Sequence, residues 1–139
     1  MGDAGVIIVG AGHGGGTAAA LLRQSGFEGP ITLIGEEPLA PSQRPPLSKA
    51  WLKGEADAES LALKEDGFYP SAGIDLMTST KVAAIHPADR AVSLEDGRRL
   101  AYDTLILATG ARARSLRVGG VEFAGVFTLR TAADAEALK

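Results

Sequence analysis

The chain has 139 residues, 45% apolar and 22% charged, with a net charge of −3. That is the size and composition of one soluble globular domain, and it carries no basic footprint for nucleic acid. The absence of cysteine excludes disulfide scaffolds, thiolate metal sites and dithiol redox chemistry. No apolar run reaches membrane-spanning length and no signal peptide opens the chain, so a cytoplasmic protein is expected.

In chain order, Val6-Ile7-Ile8-Val9 is a continuous apolar run and reads as a buried parallel strand. Residues 17–24, rich in Ala and Leu, read as a helix closed by Gly26. Ile31-Thr32-Leu33-Ile34 reads as a second buried strand, and the crossover rule places it parallel beside the first. Residues 35–60 change character, with several prolines. There Pro45 should keep Arg44 out of the helical region, on an extended path, and Ser48 should cap a short helix over 48–52, stopped by Gly54. A short helix over 65–72 and a strand over 75–77 follow. Val82–His86, 91–95 and 99–102 read as a three-stranded antiparallel meander, the second turn carried by Asp96-Gly97. Residues 105–108 form another apolar run that should return to the central sheet. Thr131 should cap a last helix, with Asp134 in its first turn. The expected fold is α/β: a Rossmann-like strand–helix–strand unit with a parallel sheet and a small antiparallel meander.

Gly10-Ala11-Gly12-His13-Gly14-Gly15 satisfies G-x-G-x-x-G between a buried strand and a helix. In that setting Gly10 permits the tight turn, Gly12 lets a pyrophosphate approach the backbone, and Gly15 lets helix and strand pack closely. The helix end then offers its free N–H groups to the phosphates. Glu36, about 20 residues on at the end of the second strand, suits an acid that binds ribose hydroxyls. Its charge would repel a 2′-phosphate. NAD and FAD both contain ADP, so these features leave either open.

The runs "VIIVGAGHGGGTAAALLRQSGFEGPITLIGEE", "RPPLSKAWLKG", "TLILATGARAR" and "FTLRTAADAE" together resemble the N-terminal part of the FAD-dependent ferredoxin reductases of oxygenase systems. The resemblance implies FAD in the first dinucleotide site, NAD(P)H as electron donor and an iron–sulfur ferredoxin as acceptor. It places Gly10, Gly12, Gly14 and Gly15 along the FAD pyrophosphate and Glu36 at the adenosine ribose. It also places Arg44 and Lys49 at the cofactor, with Lys49 toward the flavin ring, and Val82 at the adenine. Thr109, Gly110 and Arg130 complete the implied contacts. Two departures stand out: Pro41-Ser42 where Pro-Tyr is common, and Ala113 where a proline is common.

The resemblance also implies domains beyond these residues: a second FAD segment, an NAD(P)H-binding domain and a C-terminal domain. Residues 1–139 are then the first segment of an FAD-binding domain. Apolar faces left without those partners would favour self-association. No residue suggests an acid, base or nucleophile, and no metal site is expected, in keeping with chemistry done by a flavin. His13 reads as a helix-start residue and His86 as a surface residue. Arg112, Arg114 and Arg117 form a basic run that fits either a solvated loop or attraction of an acidic ferredoxin. Two other functions fit parts of the sequence. One is a stand-alone ADP- or NAD-binding module. The other is an interaction protein that presents Pro38-Leu39-Ala40-Pro41 as a P-x-x-P docking peptide.

Overall fold

The computed structural model describes residues 4–139. They divide into two compact units. The first runs to Ser42 and resumes over Ala62–Gly110, and the second comprises Gln43–Leu61 and Ala111–Lys139.

The first unit contains β1 (Val6–Val9), α1 (His13–Gln24), β2 (Ile31–Ile34), α3 (Phe68–Ser71) and β3 (Ile74–Met77), then β4 (Val82–His86), β5 (Ala91–Leu94), β6 (Arg99–Ala101) and β7 (Thr104–Leu107). The intervening α2 (Ala58–Leu61) belongs to the second unit. Strands β3-β2-β1-β7 form a parallel sheet. Strands β4-β5-β6 form the antiparallel meander. The expected Rossmann-like architecture is therefore present, with residues 105–108 returned beside β1 as β7.

Alternation along the buried strands decides what covers each face. Val6 and Ile8 of β1, with Ile31 and Leu33 of β2, pack with Ala19 of α1, Tyr69 of α3 and Ile74. Ile7 and Ile34 point the other way and pack with Val92, Leu94 and Tyr102 of the meander. Both faces of β1 and β2 are thus covered, so neither strand shows the strict apolar–polar alternation of a half-exposed one. Each such Ile or Leu contributes about 1.5–3 kcal/mol by leaving water.

Three local differences from the sequence reading have physical causes. Helix α1 begins at His13 rather than at residue 17. Glycine has poor helix propensity, but tertiary fit overrides it here: a Cβ on Gly16 would run into Pro41. At the other end α1 closes as expected, with Phe27 N–H on Leu22 O and Gly26 N–H on Arg23 O. The second difference is at Arg44, which is helical (φ −82°, ψ −34°) and not extended. Pro45–Ser48 forms a 3₁₀ turn, with Leu47 N–H on Arg44 O. The ring-fixed φ of proline suits the start of such a turn, and the turn buries Leu47. Third, Ser48 ends that turn instead of capping a helix, and its hydroxyl points back to Pro45 O at 3.5 Å.

The second unit holds the 3₁₀ turn, α2 and α4 (Ala132–Leu138) around Leu47, Leu61 and Ala135, with Trp51 and Ala132 packed on them. Residues 111–130 carry no helix or strand, and Leu116, Val118, Phe123 and Phe127 in that stretch are exposed. Among the described residues no helix is long and apolar enough to cross a membrane.

Candidate functional site

The glycine loop separates into positions the fold needs and positions it leaves open. Gly10 has φ +111°, and a Cβ there would strike the Ala108 carbonyl. On Gly15 a Cβ would strike the Gly10 carbonyl and press on Leu33 at 3.2 Å. These two let the loop lie flat between β1, β7 and α1. Gly12 is different. Its φ is −89°, ordinary for any residue, and a Cβ built on it would meet nothing within 4 Å. Gly14 has its nearest such neighbour, Ala108 Cβ, only at 4.0 Å. The open space lies at the start of α1, where Gly12 offers no capping side chain and the first turn holds no acid. The first-turn N–H groups and the positive end of a 12-residue helix thus suit an anion. Thr109 and Gly110 follow β7, both exposed, with the Thr109 backbone beside Gly10.

Glu36 stands exposed just past β2. Gly10 N–H donates to Ile34 O, and Gly35 lies against Ala11, which holds the end of β2 beside the loop. The segment before β4 is tied to the same place: Thr80 N–H donates to Gly35 O and Ser79 N–H to Glu37 O, at 2.9 and 3.1 Å. Ser79 accepts a left-handed backbone there (φ 48°), a strain that the two bonds offset. The result is a cleft of about 320 Å³ lined by Glu36, Ser79, Thr80, Lys81, Leu94, Glu95 and Asp96. Lys81 pairs with Glu95 at 2.6 Å. The Asp96 carboxyl is held below its usual range because it accepts from Arg98 N–H and side chain. Val82, half-buried, opens β4 directly after Lys81. Of the lining residues, the sequence reading names only Glu36 as a contact; Val82, the implied adenine contact, follows the lining residue Lys81. The meander itself was expected; its seating against the end of β2, which brings the other walls to Glu36, was not.

In the second unit the structure brings Arg44 and Arg130 together. Arg44 Nη1 donates to Arg130 O at 2.7 Å, and Arg130 Nε donates to Ala111 O at 3.1 Å. The cap of α4 adjoins them: Asp134 N–H donates to Thr131 Oγ1, and Asp134 Oδ2 accepts from both Thr131 N–H and Arg130 N–H at 2.8 Å. These bonds, with a smaller contribution from the Arg44 charge, hold the Asp134 carboxyl below its usual range. Lys49 is exposed at the end of the 3₁₀ turn, with no side-chain partner among the described residues. Arg112, Arg114 and Arg117 are all exposed. His13 is exposed at the start of α1. His86 is more than a surface residue: it is half-buried, and its Nε2 lies 2.8 Å from Ser93 Oγ on the neighbouring strand.

A buried parallel β-α-β with an open glycine loop and an acid-edged cleft agrees with the comparison to known families. The model for pyridine nucleotide-disulphide oxidoreductases matches residues 4–139. The chain belongs to that family. Among pyridine nucleotide-disulphide oxidoreductases, a probable ferredoxin reductase of Castellaniella defragrans is 52% identical over 134 residues. That match covers 96% of this chain and 33% of the relative. Putidaredoxin reductase of Pseudomonas putida is 47% identical over 137 residues, covering 96% and 32%. A crystal structure of a ferredoxin reductase from Rhodopseudomonas palustris superposes with a TM-score of 0.91 at 40% identity, over 98% of this chain and 33% of that one. The chain thus spans about a third of the length of the relatives it matches.

Proposed function

We propose that these 139 residues are the first segment of the FAD-binding domain of an NAD(P)H-dependent ferredoxin reductase. In this reading electrons pass from NAD(P)H through flavin to an iron–sulfur ferredoxin, and the protein is cytoplasmic. The observation that carries the cofactor assignment is the room above Gly12 at an uncapped helix start, beside a cleft edged by Glu36. A pyrophosphate would use the first and an adenosine the second. FAD, when bound, supplies both the hydride-accepting and the one-electron chemistry.

The chain's own groups bind and orient. Gly10 and Gly15 shape the loop; Gly12 and Gly14 leave space for phosphate oxygens. Glu36 accepts from ribose hydroxyls, and the backbone at Val82 meets the adenine. Thr109 and Gly110 contribute backbone next to the loop. The family resemblance adds Arg44, Arg130 and Lys49 as cations for an anionic cofactor, with Lys49 toward the flavin. The second FAD segment, the NAD(P)H-binding domain and the C-terminal domain lie outside these residues. Exposed Leu116, Phe123 and Phe127 favour self-association of the isolated chain.

A docking-peptide role is disfavoured because Pro41, the second proline of P-x-x-P, is fully buried. A stand-alone NAD module would use the same loop and acid, so direct competition separates it. Titration of the chain with FAD should quench flavin fluorescence at one equivalent, and NADH should displace it no better than ADP alone does. With part of the site missing, the flavin should leave on gel filtration, and transfer from NADH to a ferredoxin should be absent. Stabilisation by NADH without any response to FAD would overturn the assignment.

A further inference from the structure

The peptide group joining Arg130 to Thr131 is gripped at both ends. Its carbonyl accepts from Arg44 Nη1 at 2.7 Å, and its N–H donates to Asp134 Oδ2 at 2.8 Å. A cation and an anion are therefore linked through one peptide plane, whose dipole lies aligned between them. Each charge polarises the peptide in the sense that strengthens the other bond. The same carboxylate oxygen also takes Arg130 N–H at 2.8 Å, so the backbone on both sides of the Arg130 Cα is held by Asp134. Arg130 Nε is held by Ala111 O. Helix capping explains the Thr131–Asp134 reciprocity, but not the reach of that carboxylate back to Arg130 or the seating of Arg44 on the far side of the peptide.

We infer that Asp134 is a positioning residue for the Arg44–Arg130 pair, acting on Arg44 through the intervening peptide group. The inference rests on the reading that this pair meets an anionic dinucleotide. Asp134 itself carries no ligand contact. Its charge makes the Arg130 carbonyl a better acceptor, which narrows the positions open to the Arg44 guanidinium. A pre-placed guanidinium loses less freedom when an anion arrives.

The test has two arms. In the first, FAD affinity is measured by flavin fluorescence for the parent, Asp134→Asn, Arg44→Ala and the double variant. Asp134→Asn keeps the shape and loses the charge. It should weaken FAD about fivefold, the scale of one hydrogen bond, and should have less than a twofold effect once Arg44 is already alanine. A loss below twofold in the parent background, or an equal loss in both backgrounds, would overturn the inference. The second arm needs neither FAD nor a folded Asp134 variant. Carbon NMR follows the Asp134 carboxyl titration in the parent and in Arg44→Ala. Linkage requires the titration to move up when Arg44 is removed. An unchanged titration would show that the peptide does not couple the two charges, whatever the fate of the FAD reading. Absent FAD binding with a shifted titration would instead discard the dinucleotide assignment and leave the coupling standing.

Discussion

Gly12 and Gly15 stand three residues apart in the same loop, yet their replacement by alanine should have opposite consequences. Gly15→Ala sets a methyl group onto the Gly10 carbonyl, with Leu33 Cδ1 at 3.2 Å behind it. Neither backbone can retreat, because Gly10 N–H is bonded to Ile34 O and β1 pairs with both β2 and β7. In an unhindered helix the change would gain about 1 kcal/mol. Overpacking costs about 1–3 kcal/mol, backbone shifts included; with a backbone carbonyl in the way the upper end applies, so a net loss of about 2 kcal/mol is expected here. For a chain of this size that is a fall in Tm of roughly 8 °C. Gly12→Ala meets nothing within 4 Å at an ordinary φ, and it forfeits only a modest capping preference of about 1 kcal/mol or less. Its Tm should fall by no more than about 4 °C, while FAD binding drops at least about tenfold as the methyl group occupies the phosphate's place. Thermal unfolding by circular dichroism and a flavin titration decide the matter together. A Gly15→Ala chain as stable as the parent would refute the steric argument. A Gly12→Ala chain that binds FAD as the parent does would refute the assignment of that space to a ligand.

Other consequences are equally specific. Arg23 donates to the carbonyls of Phe27, Gly29, Ala72 and Gly73 at 2.6–2.8 Å, so Arg23→Met should cost about 3 kcal/mol in urea unfolding, less than the bonds would sum to separately. Tyr69 is 4% exposed, its hydroxyl has no partner among the described residues, and burial pushes its phenol up to about 12. Tyr69→Phe should therefore leave stability unchanged or raise it by up to about 1 kcal/mol; a clear loss would reveal a hydrogen bond to that hydroxyl. The carboxyls of Asp57, Asp96 and Asp134 all titrate below their usual value. A depressed folded pKa gives stability that is present above the unfolded value, about 3.9, and is lost as pH falls through the folded value. Urea midpoints should accordingly fall below about pH 4, and Asp134→Asn should flatten part of that fall.

Much of the first unit was legible because its signals are local. Short runs rich in β-branched residues marked β1 and β2, and Asp96-Gly97 marked the hairpin between β5 and β6. Position also carried information at Glu36, which lies where a strand end must lie. What could not be read depends on contacts distant in sequence. The start of α1 at His13 follows from Pro41 and Gly10 fitting against glycines that propensity alone would leave outside a helix. The 3₁₀ turn at Pro45–Ser48 follows from burying Leu47 against Leu61 and Ala135. The division into two units has the same origin, since residues 43–61 find their core partners roughly seventy to ninety residues later. At the site, the loop was visible as a motif, whereas the cleft walls at Lys81 and Glu95 came only from the seating of the meander against the end of β2. The capping pair Thr131 and Asp134 was visible, but the Arg130 peptide between Arg44 and Asp134 was not.

The central claim is that the chain recognises the ADP half of FAD through the glycine loop and Glu36. Equilibrium titration with FAD and with FMN, which lacks that half, tests it directly when ADP is included as competitor. The account predicts FAD binding at least about tenfold tighter than FMN, displacement of FAD by ADP, and a weakening of both FAD and ADP in Glu36→Gln. FMN binding as well as FAD, with ADP without effect, would contradict it.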